Sequence, residues 1–266
     1  MANPVGAFIW YELMTPDPDA AARFYGAVVG WTIAAEPDPG AGGMDYRMIT
    51  RSDGGHAGGV LGLTEAMTSG GARPCWMPYL HVSDVDAAIA AIEAEGGKVQ
   101  MPAMDLPVGR IAMLTDPQGV PIYIMDPTPP PGQGDMASDV FSEDEPQRVR
   151  WNELASPDQA GSMAFYARHF DFAFNDKMPM GAMGDYCFID HHGVRFGAIM
   201  PRQNEEQPAV WLFYFGVPSI AEAQRAVEAN GGKVLMGPME VPTGDWIIVC
   251  LDPQGAGFGL VGAKGD

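Results

Sequence analysis

The sequence predicts an α+β fold of four βαβββ modules in two tandem halves, and three observations predict it. The first is a long internal repeat. Trp10, Glu12, Leu13, Pro16, Asp17, Phe24 and Tyr25 recur as Trp151, Glu153, Leu154, Pro157, Asp158, Phe165 and Tyr166, always 141 residues on (10 to 151, 25 to 166). Composition does not produce that many identities at one offset, so the chain is two copies of one unit. The second is that the order strand, helix, three strands runs twice within each half. The third is a shared hairpin, Asp116-Pro117-Gln118-Gly119, which returns as Asp252-Pro253-Gln254-Gly255, with proline and glycine where a tight turn accepts them.

Phe8 to Met14 is rich in aromatic and branched residues and reads as a strand. Asp17 offers an N-cap, Pro18 suits the first helical position, and Ala21, Phe24, Tyr25 and Val28 recur at helical spacing until Gly30 stops the helix. Three short strands follow at 31–35, 45–50 and 58–63. The second module opens with a strand from Trp76 to Val82. Ser83 with Asp86 then resembles a capping box, and Val85, Ala88, Ile89 and Ile92 line one helical face before Gly96-Gly97. Strands at 98–101, 110–115 and 120–125 complete it. The second half repeats the plan, with Ser219 and Glu222 as its capping box and Gly231-Gly232-Lys233-Val234 matching Gly96-Gly97-Lys98-Val99. Between the halves, 128–147 holds Pro129-Pro130-Pro131 and the acidic run Glu143-Asp144-Glu145. It reads as a linker lying extended along the surface. The expected domains are therefore 1–127 and 148–266, joined by 128–147.

The chain has 266 residues, 47% of them hydrophobic, which suffices for two packed cores. Its 34 acidic residues exceed its 15 basic ones by 19. That balance argues against nucleic acid or an anionic membrane as partner, because phosphate contacts need Lys and Arg. Cys75, Cys187 and Cys250 are too few and too scattered for a disulfide framework or a zinc site. They read as small buried apolar residues of a reducing compartment. The N-terminus lacks the basic and apolar regions of a signal peptide, and no apolar run is long enough to cross a bilayer. The expected location is cytoplasmic.

Four βαβββ modules, the helix from Pro16-Asp17 to Phe24-Tyr25, the Gly96-Gly97 stop and the Asp116-Pro117-Gln118-Gly119 hairpin together resemble the vicinal oxygen chelate superfamily. That group holds glyoxalase I, bleomycin- and fosfomycin-resistance proteins and extradiol dioxygenases. The resemblance covers nearly all the chain outside the linker. It implies two tandem glyoxalase-like domains with curved mixed sheets. The tandem form with a Trp-x-Glu-Leu strand in each half is more narrowly similar to the actinobacterial secreted-antigen and "hydroxylase" branch.

The resemblance also implies where a metal would sit. The ligand of the first strand lies seven residues before the capping Asp, which is Trp10 in one half and Trp151 in the other. The second module's first ligand falls at Met77 and Leu212, and the closing-strand carboxylate at Tyr123 and Gly259. None of these offers the carboxylate or imidazole that such ions prefer, so neither a metal nor another cofactor is expected. Strand alternation puts Glu12 and Met14 on the face of Trp10, and Tyr79 and His81 on that of Met77. A first cleft of Trp10, Glu12, Met77, Tyr79, His81 and Tyr123 follows, and a second of Trp151, Glu153 and Tyr214. Aromatic walls with a few polar points suit a small molecule.

Glu12 and Glu153 read in two ways: as a ligand anchor or general base, or as buried carboxylates paired with a backbone amide or with Tyr46 and Tyr186. His81 is either the acid–base partner of Glu12 or a satisfied core or rim residue. His56 and the tip His191-His192 read as surface residues. Trp76 and Trp211 read as core. Two functions remain. One is a metal-independent binding protein holding a small cationic or aromatic compound, with Trp10, Met77, Tyr79, Tyr123, Trp151, Glu153 and Tyr214 around it. The other is a glyoxalase-like lyase or isomerase, or a hydroxylase component, in which Glu12 and His81 act on a small carbonyl compound. The sequence leaves monomer and homodimer both open.

Overall fold

The protein is described from a computed structural model, which covers residues 3–129 and 136–266. Pro130 and Pro131 of the linker lie outside the described residues.

Four modules follow one another as the repeat requires. The first holds β1 (Phe8–Thr15), α1 (Pro18–Val28), β2 (Thr32–Ile33), β3 (Tyr46–Thr50) and β4 (His56–Gly62), followed by a short α2 (Glu65–Ser69). The second holds β5 (Cys75–His81), α3 (Val85–Ala94), β6 (Lys98–Leu106), β7 (Gly109–Thr115) and β8 (Pro121–Pro127). The third holds β9 (Val149–Ser156), α4 (Gln159–Phe170), β10 (Lys177–Pro179), β11 (Asp185–His191) and β12 (Val194–Pro201). The fourth holds β13 (Trp211–Ser219), α5 (Ile220–Ala229), β14 (Lys233–Glu240), β15 (Trp246–Leu251) and β16 (Gly257–Ala263). Each module places its strands in the order 2-3-4-1, with the first and last strands parallel and the rest antiparallel. The sheets are therefore mixed and the fold is α+β.

Local chemistry explains the helix ends. Asp17 caps α1 by accepting from the Ala20 amide, with Pro18 at its start, and Ser219 caps α5 by accepting from the Glu222 amide. At α3 the expected cap is corrected: Asp84, not Ser83, accepts from the Ala87 amide at 2.9 Å. Both neighbours have cap-forming side chains, so the sequence alone does not choose between them. Gly96 takes φ +99 just past α3, a conformation open to glycine at little cost.

Two compact units divide the chain: Met1–Ile9, Met77–Ser138 and Asn152–Trp211 in one, and Trp10–Trp76, Asp139–Trp151 and Leu212–Asp266 in the other. Each unit thus draws one module from either half. In the unit containing α1 and α5, these helices pack together. Its core is aromatic: Trp31 and Trp76 lie 4.8 Å from Phe215, and Tyr25 meets Trp76 edge-on at 5.4 Å. In the other unit Phe8 meets Trp211 at 5.3 Å, and Phe172 meets Phe196 at 5.0 Å. Such pairs add to the burial energy through their edge-to-face geometry.

The repeated residues meet at equivalent buried points in the two units. Trp76 donates its indole N–H to the Tyr25 hydroxyl at 2.9 Å, and Tyr25 donates to Asp252 Oδ2 at 3.1 Å. Trp211 donates to the Tyr166 hydroxyl at 3.0 Å, and Tyr166 faces Asp116. Each aspartate also closes its own hairpin. Oδ1 of Asp252 accepts from the amides of Gln254 and Ala256 at 2.9 and 2.8 Å. Oδ1 of Asp116 does the same for Gln118 and Val120. Burial pushes both carboxyls upward, Asp116 to about 6.

Two expectations need correction. The linker's later part is built into its unit and not merely laid over it. Val140 is buried and Phe141 bridges to Val149. Gln147 accepts from the Ser52 amide at 2.7 Å and donates to the Gly30 carbonyl at 2.8 Å. Arg51, almost wholly buried, reaches Asp53 and Asp139. His191 is likewise buried, its ring nitrogen 2.8 Å from the Val5 carbonyl, while His192 alone is exposed at the turn.

Candidate functional site

Alternation along β1 sends Tyr11 and Leu13 into the core and turns Trp10 and Glu12 to the other face. The same strand therefore both anchors its unit and presents a face. Trp10 remains half-buried, whereas Glu12 is 2% exposed. The two residues share their face with Tyr46, which arrives from β3. Trp10 donates its indole N–H to the Tyr46 hydroxyl at 2.7 Å, and His56 stands edge-on to Trp10 at 6.3 Å. Burial, and then the charge of Glu12, hold the Tyr46 hydroxyl well above the usual tyrosine range. The same two causes push the Cys75 thiol up to about 12. Both groups thus keep their protons at neutral pH, and neither serves as an anionic nucleophile there. What this cluster offers is an indole, a phenol and a carboxylate in one apolar setting.

The counterpart in the other unit is Glu153 with Tyr186. The tyrosine hydroxyl donates to Glu153 Oε2 at 2.6 Å, a short charge-assisted bond. Glu153 is half-buried. This is the tyrosine pairing that the sequence left open as one of two readings. On β5 and β8 of the same unit, Tyr79 and Tyr123 are in register and stack at 4.4 Å with their planes 16° apart. Met77 is buried nearby on the same strand.

The residues predicted for the site divide between the units. Trp10, Glu12, Trp151 and Tyr214 belong to one, and Met77, Tyr79, His81, Tyr123 and Glu153 to the other. Glu12 and His81 thus stand in different units. The Nδ1 of His81 is 3.0 Å from the Pro4 carbonyl, and its backbone N–H donates to the Ala7 carbonyl. Trp151 is half-buried, and Tyr214 is 2% exposed. Tyr214 is in register with Gly259, where an added Cβ would meet its ring. Sequence reasoning missed Cys75 beside Glu12 and the part played by Gly59 between β1 and β3. The second had a signal, since glycine in a strand marks a close approach of neighbouring groups.

The donor set does not fit a metal of this fold. The chelating positions implied by the family carry indole, thioether, phenol, leucine and glycine. Among the described residues no three His, Cys, Asp or Glu side chains gather to hold an ion. No described helix is long and apolar enough to cross a membrane.

Comparison with known proteins agrees with this architecture. The model of the Glyoxalase/Bleomycin resistance protein/Dioxygenase superfamily matches twice, at residues 7–124 and 148–260. The chain is 29% identical over 253 residues to "Putative glyoxylase CFP32" of Mycobacterium tuberculosis, covering 95% of this chain and 93% of the relative. It is 31% identical over 278 residues to the anthracycline biosynthesis protein DnrV of Streptomyces peucetius, covering 96% and 93%. Among solved structures it is similar to the Mn(II)-bound glyoxalase from Novosphingobium aromaticivorans, with a TM-score of 0.63 and 18% identity over 97% of this chain and 82% of that one. The 2,3-dioxygenase LapB from Pseudomonas sp. KL28 gives a TM-score of 0.61 and 15% identity over 98% and 92%. At those identities the structures speak for the fold alone. With the family model matched across both halves, the chain belongs to the Glyoxalase/Bleomycin resistance protein/Dioxygenase superfamily.

Proposed function

We propose that this chain is a small-molecule binding protein of the glyoxalase and bleomycin-resistance type that needs no metal. Its ligand is a flat aromatic or cationic compound. The single observation that carries the reading is the face of β1 and β3, where Trp10 and Tyr46 join the buried Glu12, with Trp10 at the position for which the resemblance implies a metal ligand. An indole plate favours a flat ring or a cation over its face. A carboxylate in apolar surroundings favours a cation, since an opposite charge offsets its desolvation. The Streptomyces peucetius relative named for anthracycline biosynthesis fits a flat aromatic ligand. No nucleic acid or membrane partner is part of this reading, which accords with the acidic balance of the chain.

Calorimetry tests it, with a panel of planar aromatic cations (proflavine, an anthracycline) and neutral isosteres, each with and without a chelator. Binding that survives chelation and favours the cations supports the reading. A ligand that binds only when a divalent ion is added refutes metal independence. A second reading, a glyoxalase-like lyase or isomerase, is favoured by the name of the CFP32 relative. Turnover of a methylglyoxal–thiol adduct that fails in Glu12→Gln would establish it.

A further inference from the structure

Tyr46 stems from β3, yet its hydroxyl receives the indole N–H of Trp10 on β1. In the strand order β4 lies between them, so the tyrosine ring crosses β4. It crosses at Gly59. Gly59 is level with Glu12 on one side and with Met48 on the other. A Cβ built there would fall on the hydroxyl and Cζ of Tyr46. Gly59 is not among the residues with positive φ. What the position uses is therefore the missing side chain and not a backbone conformation special to glycine.

The second half supplies a comparison within the same chain. The place level with Glu153 is held by Ala198. There the tyrosine is Tyr186, and its hydroxyl hydrogen-bonds to Glu153. A methyl group is tolerated at that place, with the tyrosine hydroxyl directed at the carboxylate.

We propose that Tyr46 is the positioning residue of the binding face, fixing the Trp10 indole as a rigid plate, and that Gly59 is the residue that admits it. The inference rests on the binding reading given above. An indole has one polar hydrogen, and Tyr46 takes it. A ligand therefore meets Trp10 through its ring and not through its N–H. Fixing the ring beforehand also removes the ordering cost that a free side chain would add on binding.

The test follows the Trp10 indole N–H by 1H–15N NMR in the full chain, assigned with Trp10→Phe, beside calorimetry with proflavine. In Tyr46→Phe the Trp10 indole signal moves and exchanges with solvent at least tenfold faster, and proflavine binds roughly fivefold more weakly, the share of one neutral hydrogen bond. Gly59→Ala does the same with the hydroxyl still present, and it folds, as Ala198 does in the sister module. Tyr186→Phe leaves the Trp10 signal in place. An unmoved Trp10 signal in Tyr46→Phe overturns the proposal, and so does a moved signal with unchanged proflavine affinity. If the unaltered chain binds no compound of the panel, the binding reading fails instead. The indole signals, read without ligand, then still decide whether Tyr46 holds Trp10.

Discussion

Replacing Asp116 by asparagine isolates the cost of burying one carboxylate, and the structure fixes both the sign and the size of the effect. Asp116 is 1% exposed. Its Oδ1 accepts from the Gln118 and Val120 amides, but Oδ2 makes no hydrogen bond. Tyr166 lies close enough to favour the charged form, without the geometry of a full bond. Desolvation therefore wins, and the carboxyl is pushed up to about 6 from 3.8. Between those values the folded chain keeps a proton that the unfolded chain has released. Stability consequently falls as pH rises from 4 to 6, then levels off. A shift of about two units corresponds to ~3 kcal/mol. In Asp116→Asn the hairpin keeps its side-chain acceptor while the titration is gone. Urea unfolding at pH 4, 5, 6 and 7 reads the difference between variant and unaltered chain. That difference moves in favour of the variant by roughly 2–3 kcal/mol across the range. A constant difference would refute the reasoning, because it would mean that the carboxylate is as well solvated folded as unfolded.

Other outcomes follow from single contacts. Gln254 Oε1 is buried without a hydrogen bond, whereas the matching Gln118 faces Ser162, which is bonded to Ser156 at 2.7 Å. Ala21 stands where the third module has Ser162, so Ala21→Ser stabilises by about 0.5–1.5 kcal/mol in thermal or urea unfolding. Gln147→Ala removes the bonds to Ser52 and Gly30 and destabilises by about 2 kcal/mol, read the same way. Cys75 and Cys250, each pushed up to about 12 by burial, resist alkylation at pH 8 in the native chain and react once it is unfolded, as mass spectrometry would record. Glu12→Gln weakens an aromatic cation more than its neutral isostere, and calorimetry on the pair measures the gap.

Most of the fold was legible because its signals are local. The Asp17 and Ser219 caps, the helical faces and the two Asp-Pro-Gln-Gly hairpins each stand within a few residues of the structure they specify. The partnership of modules was not legible. Tyr25 and Asp252 are far apart in the chain, and nothing in either neighbourhood says that they meet in one unit. The linker failed for the same reason. Its composition is that of a surface strap, yet Val140 and Gln147 find partners that only folding brings near. At the candidate site, alternation along one strand places Trp10 and Glu12 on one face. It could not say that Tyr46 would reach them across Gly59, since that depends on the register of three strands.

The repeat itself separates structure from function. Of the residues shared between the halves, Tyr25 and Tyr166 are wholly buried and hydrogen-bonded to Trp76 and Trp211, in units each built from both halves. Changing one of them orphans a buried indole N–H, and at Tyr25 it also takes a hydrogen bond from Asp252, which costs more than a lost neutral bond. Both copies are held to the same residues by that geometry. The outward positions are kept only in part: Trp10 and Glu12 recur as Trp151 and Glu153, but their neighbours differ. Where the first half has Tyr123 stacked on Tyr79, the second has Gly259 beneath Tyr214. Where β4 has Gly59, β12 has Ala198. Duplication preserved what couples the modules, together with the Trp and Glu of each first strand, and let the surroundings of those two residues differ. The two faces should therefore differ in what they bind: proflavine titrated into the chain should fill one strong site, and the weaker second site, if saturated at all, should be insensitive to Tyr46→Phe. Two equal sites lost together would refute that division.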